Sequence, residues 1–224
     1  MNSIMFDLYG TLIDIHTDEA PDLFWESFAE AVKEYKQYDY LELKKEYLSL
    51  CSKLEEEKEE IEILDVFEKL FNASRQAANE IAQLFRKIST KYIKTYRGVD
   101  KLLTTLKSNG HKIYLLSNAQ NAFTIPEMEE LDLIKYFDGI AISSNYGVKK
   151  PKKDFYLRAM KDFNLDATNT WMIGNDYECD IKPALELGWK TVFIETNLTP
   201  ISKEKKNVYG FDGEFIYSVI NKLI

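Results

Sequence analysis

The chain has 224 residues, 45% hydrophobic and 29% charged, the composition of an ordinary globular protein. Its 29 Lys and Arg against 37 Asp and Glu give a formal net charge of −8, which excludes the basic footprint of a nucleic-acid binder but not a locally positive pocket for a small anionic substrate. Two cysteines, Cys51 and Cys179, make neither a disulfide framework nor a zinc cluster. No apolar run approaches the ~20 residues that span a bilayer, and the start at Met1 has no leader-like pattern, so the expectation is a cytoplasmic protein without a membrane partner.

Ser3 to Phe6 is a short apolar run that stops abruptly at Asp7, the pattern of a strand buried on both faces in a parallel sheet. Thr17 to Tyr96 breaks with that pattern, holding one proline, no glycine and no strand-like run. Phe24, Phe28 and Val32 fall on one helical face, and Leu41, Leu43 and Tyr47 suggest another. A segment of that length is no loop, so residues 17–96 are expected to form an all-helical insertion, with 1–16 and 97–224 making the core.

Beyond it, a helix from Asp100 to Asn109 is stopped by Gly110, and a strand from His111 to Leu116 ends at Ser117-Asn118. Gly139 to Ile142 is a third strand, followed by a helix from Lys153 to Phe163. Thr170 to Ile173 is a fourth, ending at Gly174-Asn175-Asp176; a helix from Asp180 to Leu187 and a fifth strand, Lys190 to Ile194, complete the series. Strand alternating with helix predicts an α/β fold built on a doubly wound parallel sheet, whose ligands bind where the strands exit into polar residues.

Those exits carry the candidate chemistry. Asp7, open at a strand end, can act as a nucleophile; Gly10 permits a tight turn, and Thr11 adds a hydroxyl donor. Ser117 and Asn118 can donate to an oxyanion, although Ser-Asn after a strand also reads as a turn or cap. Lys150, held before Pro151, can neutralise a phosphoryl group or orient a carboxylate, or be a solvated surface lysine. The oxygen-rich run Asn175, Asp176, Glu178, Asp180 suits Mg²⁺, while Asn175 or Asp176 can equally cap a helix.

This ordered set, Asp7 to Thr11, Ser117-Asn118, Lys150-Pro151 and Gly174 to Asp180, resembles the haloacid dehalogenase-like hydrolase superfamily, and the helical insertion lies where cap-bearing members carry theirs. The resemblance implies a Mg²⁺-dependent phosphatase of a small phosphomonoester. Asp7 would form an aspartyl-phosphate, with Thr11, Ser117 or Asn118, and Lys150 on the phosphoryl oxygens. Mg²⁺ would bind Asp7, the Tyr9 carbonyl and an oxygen of the Asn175–Asp180 segment, with Asp176 favoured as ligand and Asp180 as supporting carboxylate.

Two departures matter. Tyr9 stands where phosphatases of the superfamily carry an acid/base aspartate, and tyrosine there is typical of the 2-haloacid dehalogenases, which need no metal. Against a dehalogenase, no arginine lies between Asp7 and Arg75. Asn175 occupies the usual aspartate position of the fourth motif. A dehalogenase-type hydrolase and a non-catalytic binding relative are therefore the alternatives. In cap-bearing members the cap supplies specificity; the aromatic residues here, such as Phe24, Trp25, Phe28 and Tyr47, are expected mainly to pack the insertion's own core.

Overall fold

The computed structural model describes residues 2–201, Val208–Tyr209 and Ile220. After β1 (Ser3–Phe6) and β2 (Ile13–Thr17) the chain enters four helices: α1 (Asp22–Ala31), α2 (Tyr40–Glu57), α3 (Ile63–Phe71) and α4 (Arg75–Ser89). It returns through β3 (Thr90–Thr95), α5 (Val99–Ser108), β4 (Lys112–Ser117), α6 (Asn121–Glu130), β5 (Gly139–Ile142) and the single turn α7 (Ser143–Tyr146). Then come α8 (Lys153–Asp162), β6 (Thr170–Gly174), α9 (Lys182–Glu186), β7 (Lys190–Ile194) and β8 (Val208–Tyr209).

Six strands form one sheet in the order β5-β4-β1-β6-β7-β8, every pairing parallel. The chain runs outward from β1 to β4 and β5 on one side and from β6 to β7 and β8 on the other. The crevice at the carboxyl ends of β4, β1 and β6 is thus the topological switch point, where such sheets bind ligands. All five predicted strands are present, with limits moved by at most one residue; β8 was not expected.

Alternation along each strand feeds a core on either side of the sheet. Ile4 and Phe6 of β1 join Ile113 and Leu115 of β4 against Leu102, Leu103 and Leu106 of α5. Met5, Tyr114 and Leu116 point the other way, onto Phe155, Tyr156 and Ala159 of α8.

The insertion is helical from Asp22 to Ser89, but its last stretch is not. β3 pairs antiparallel with β2, from Ile13↔Thr95 to Thr17↔Thr90, making a two-stranded stem. This corrects the expectation that 17–96 lacks a strand. Thr90–Thr95 is largely polar and half-exposed, so it carries none of the apolar signal of the central strands.

The four helices bury their own cluster, in which Phe28 and Phe85 meet edge to face at 5.1 Å. Phe24, Trp25, Phe28 and Tyr47 all lie within it, as expected. Helix α6 of the core belongs to the same cluster through Ala122 and Phe123. Pro126 in α6 has no N–H to give to the Ala122 carbonyl, and Gln83 Nε2 of α4 donates to that oxygen instead, at 2.6 Å. Gln120 adds a second tie, accepting from the Ile63 N–H at 2.7 Å and donating to the Ile61 carbonyl at 2.9 Å.

Candidate active site

The sheet register places the predicted residues side by side. Phe6 is level with Leu115 and Ile173, so the next residue, Asp7, leaves the sheet beside the ends of β4 and β6. Its N–H still donates to the Ile173 carbonyl at 2.9 Å, which fixes the backbone of the nucleophile candidate. Gly10 then turns at φ +83°, and a Cβ there would lie 2.2 Å from Asn175 Nδ2, so only glycine lets the two loops meet.

Lys150 is the electrostatic centre. Its Nζ lies 2.7 Å from Asp7 Oδ1 and 2.6 Å from Asp180 Oδ1, with the lysine side chain 2% exposed. Burial works against the ammonium, but Asp180 and Asp7 outweigh it and raise its pKa, so it stays charged. Burial pushes the Asp180 carboxyl up against the opposing pull of Lys150. Asp180 Oδ2 accepts the Asp176 N–H at 2.9 Å and is tucked so close under β6 that a Cβ on Gly174 would lie 2.2 Å from it.

Thr11 Oγ1 lies 3.0 Å from Asp7 Oδ2 and 3.2 Å from Asn175 Oδ1. One hydroxyl proton cannot serve both oxygens, so one acceptor is left for a cation or an added proton donor. With the Tyr9 carbonyl in the same loop, the donor set is all oxygen and suits a hard cation, but Asn175 brings no charge. Asp176, the expected ligand, lines the cavity and also has a structural task. Its Oδ1 accepts the Glu178 and Cys179 N–H groups, both at 3.0 Å, and caps the wide turn Tyr177–Ile181 that precedes α9. Asn175 is the residue next to Thr11 and Asp7. No cluster of three or more His, Cys, Asp or Glu suited to a metal exists among the described residues.

Ser117 and Asn118 separate in role. Asn118 Nδ2 donates to the Lys150 carbonyl at 2.9 Å and its Oδ1 accepts the Lys150 N–H at 2.7 Å. Its amide therefore clamps the lysine's backbone, and of the two expected phosphoryl donors, Ser117 or Asn118, it is Asn118 whose side chain is already engaged. Ser117 Oγ is buried without any partner and lines the cavity that Asp7 and Lys150 also line. A buried orphan hydroxyl is costly, and an oxyanion would satisfy it.

Tyr9 also lines this cavity, but its phenol leaves it to donate to Glu127 of α6, with Thr124 Oγ1 at 3.2 Å. Burial, then Glu127, pushes the phenol above its ordinary pKa, so it remains protonated. Cys179 borders the cavity with its thiol pushed up by burial to about 12, which makes it no nucleophile near neutral pH.

Four further residues were missed in the sequence. Glu127 and Arg86 hold the Tyr9 phenol from behind, and Leu198 and Pro200 form part of the cavity wall. The polar exit of Lys190–Ile194 was the available signal for the last two. Arg86 lies in the last helix of the insertion, outside the early stretch where dehalogenases carry their arginine.

A parallel sheet with an aspartate at the switch point, a buried lysine between two carboxylates and an orphan hydroxyl defines a hydrolase-type centre. Residues 4–194 match the model of the haloacid dehalogenase-like hydrolase family, and the chain belongs to that family. A glyceraldehyde 3-phosphate phosphatase of Pyrococcus abyssi is 29% identical over 104 residues, 46% of this chain and 44% of that one. The chain spans about half the length of the glyceraldehyde 3-phosphate phosphatases it matches. A phosphoglycolate phosphatase of Aquifex aeolicus is 28% identical over 196 residues, 85% of this chain and 83% of that one.

Among solved structures, a HAD phosphatase from Thermococcus onnurineus superposes with TM-score 0.63 at 16% identity, covering 98% of this chain and 97% of that one. A 2-haloacid dehalogenase from Pseudomonas syringae pv. Tomato DC3000 gives 0.65 at 17% identity, covering 100% of each. At such identity both likenesses show the fold. No helix of the described residues is long and apolar enough to cross a membrane.

Proposed function

We propose that the protein is a phosphatase that hydrolyses a small phosphate monoester through Asp7. The observation that carries this reading is the unpartnered Ser117 Oγ, buried in the same cavity as Asp7 and Lys150. It is a donor held ready for an oxyanion, in one cavity with the Asp7 carboxylate. The relatives named as phosphatases support the same reading.

An Asp7 carboxylate oxygen attacks phosphorus; its new O–P bond forms as the ester P–O bond breaks, and the leaving alcohol takes its proton from solvent. Water then attacks the phosphorus of the aspartyl-phosphate, giving up a proton to solvent, and the P–O bond to Asp7 breaks to release inorganic phosphate and the free carboxylate. Lys150, 2.7 Å from Asp7 Oδ1, offsets the repulsion between the carboxylate and the incoming dianion. Thr11 holds Asp7 Oδ2 in place, Asn118 fixes the backbone of Lys150, and Ser117 donates to a phosphoryl oxygen. Mg²⁺ would be held by Asp7, the Tyr9 carbonyl and Asn175 Oδ1, with Asp180 in support. When bound it supplies further positive charge against the phosphoryl oxygens.

A second reading has its own observation. Lys150 already bridges both carboxylates, so Asp7 is oriented and its charge offset without a metal, the condition for attack at the carbon of a 2-haloacid. The helices α1–α4, proposed to act as a cap, fit either reading, although none of them lines the cavity among the described residues.

Release of phosphate from 4-nitrophenyl phosphate, with Mg²⁺ and with EDTA, tests the proposal. Turnover in Mg²⁺ that Asp7→Asn abolishes supports it. Turnover that persists in Asp7→Asn overturns the covalent route. Chloride release from 2-chloropropionate in EDTA, without phosphate release, transfers the assignment to the second reading.

A further inference from the structure

The cavity is lined by residues of the strand exits and, among the described residues, by none from α1–α4. Its remaining wall is Leu198 and Pro200, in the loop after β7. Its volume is about 170 Å³, room for roughly five to six waters at their share of liquid volume. A phosphoryl group uses most of that, so the organic part of an ester extends out of the cavity, whose rim includes Leu198 and Pro200.

The loop is built onto the nucleophile turn. Thr196 Oγ1 donates to the Gly10 carbonyl at 2.7 Å, three residues from Asp7. Asn197 Nδ2 donates to Asp14 Oδ1 at 2.9 Å, and Tyr96 donates to Asn197 Oδ1 at 2.6 Å. Within the loop the Thr196 N–H donates to Thr199 Oγ1 at 2.7 Å. Leu198, at the centre of this braced turn, stays 37% exposed. Among the described residues it belongs to no apolar cluster. Covering such a side chain with an apolar group is favourable, and a ligand in the cavity that Leu198 lines can supply that cover.

Resting on the phosphatase reading, we infer that Leu198 is a specificity-determining residue: the leaving group of the ester packs on it, and the preferred substrates carry a compact apolar or aliphatic carbon next to the ester oxygen. Discrimination at the carbon next to the ester oxygen then resides in the loop after β7.

The test is inhibition of 4-nitrophenyl phosphate hydrolysis by methyl, ethyl and n-propyl phosphate, with inorganic phosphate as reference. In the wild type each added methylene is expected to lower Ki about two- to fourfold. In Leu198→Ala that gradient flattens, in Leu198→Met it is retained, and the Ki of inorganic phosphate stays the same in all three. Equal Ki values along the wild-type series overturn the inference and leave the phosphatase reading intact, as does a gradient that survives Leu198→Ala. No turnover of 4-nitrophenyl phosphate, with no binding of inorganic phosphate by calorimetry, overturns the reading and the inference together.

Discussion

The phenol of Tyr9 and the carboxylate of Glu127 are hydrogen-bonded across the gap between the nucleophile turn and α6. Arg86 of α4 closes the arrangement, its Nε lying 2.6 Å from Glu127 Oε1 and its guanidinium 5.8 Å from the Tyr9 ring centre. The side chain at the position of the acid/base aspartate is thus a strut joining three elements, turned away from Asp7.

A strut and a proton donor respond differently to Tyr9→Phe. The structure predicts that this variant keeps kcat/KM for 4-nitrophenyl phosphate within about threefold, since loss of a true general acid costs about 10²–10⁴-fold. A fall of that size, with the alkaline limb of the pH profile removed, would show that the phenol moves a proton.

The same cluster carries stability. The side chains of Arg86 and Glu127 are 17% and 9% exposed, so removing one leaves the other buried without its counter-charge. Arg86→Met is expected to cost about 3 kcal/mol in urea unfolding, the low end for a broken buried pair, because water still reaches the guanidinium. Adding Glu127→Gln should recover part of the loss, and a strictly additive double variant would show that the pair is not coupled.

How far the sequence revealed the molecule depends on which signal each element carries. The central strands are buried on both faces and so appear as unbroken apolar runs, which put Asp7, Ser117 and Gly174 at their ends correctly. β3 is a polar ribbon, and α6 contains Pro126, so neither has the pattern that identifies its kind. Asn175 and Asp176 were not resolved because helix capping and metal ligation select the same oxygen-bearing residues. The Glu178 and Cys179 N–H groups donating to Asp176 Oδ1 show the capping role, which the sequence leaves open. Leu198 is a single leucine in a loop, and its place beside Asp7 is set by a contact spanning most of the chain, Thr196 to Gly10.

The neutral amide at 175 makes a prediction about metal. Asn175→Asp adds a second carboxylate beside Thr11 and Asp7 and should tighten Mg²⁺ binding by at least about tenfold. Thermal unfolding with and without Mg²⁺ reads this without reference to turnover. The metal-free variant should melt below the wild type, because a carboxylate is added near Asp7 and Asp180, and should gain more on adding Mg²⁺. An equal Mg²⁺-induced gain in both proteins would place the cation away from residue 175.

Far from the site, Asp138 sets part of the acid stability. It accepts from Lys107 and Lys112, each at 2.8 Å, and from the Ile113 N–H at 2.9 Å. Burial alone would raise its carboxyl, but Lys107, Lys112 and the amide outweigh it and bring the pKa to about 2. A carboxyl depressed in the folded state adds stability above its unfolded pKa, about 3.9, and that stability is lost as pH falls from there toward about 2. Both lysines reach solvent, so the contribution is about 1 kcal/mol or less. Asp138→Asn should therefore melt below the wild type at pH 6, and the two curves should converge as pH falls through that window. A difference that stays constant down to pH 2 would mean that the lost stability comes from shape or hydrogen bonding at residue 138 and not from its charge.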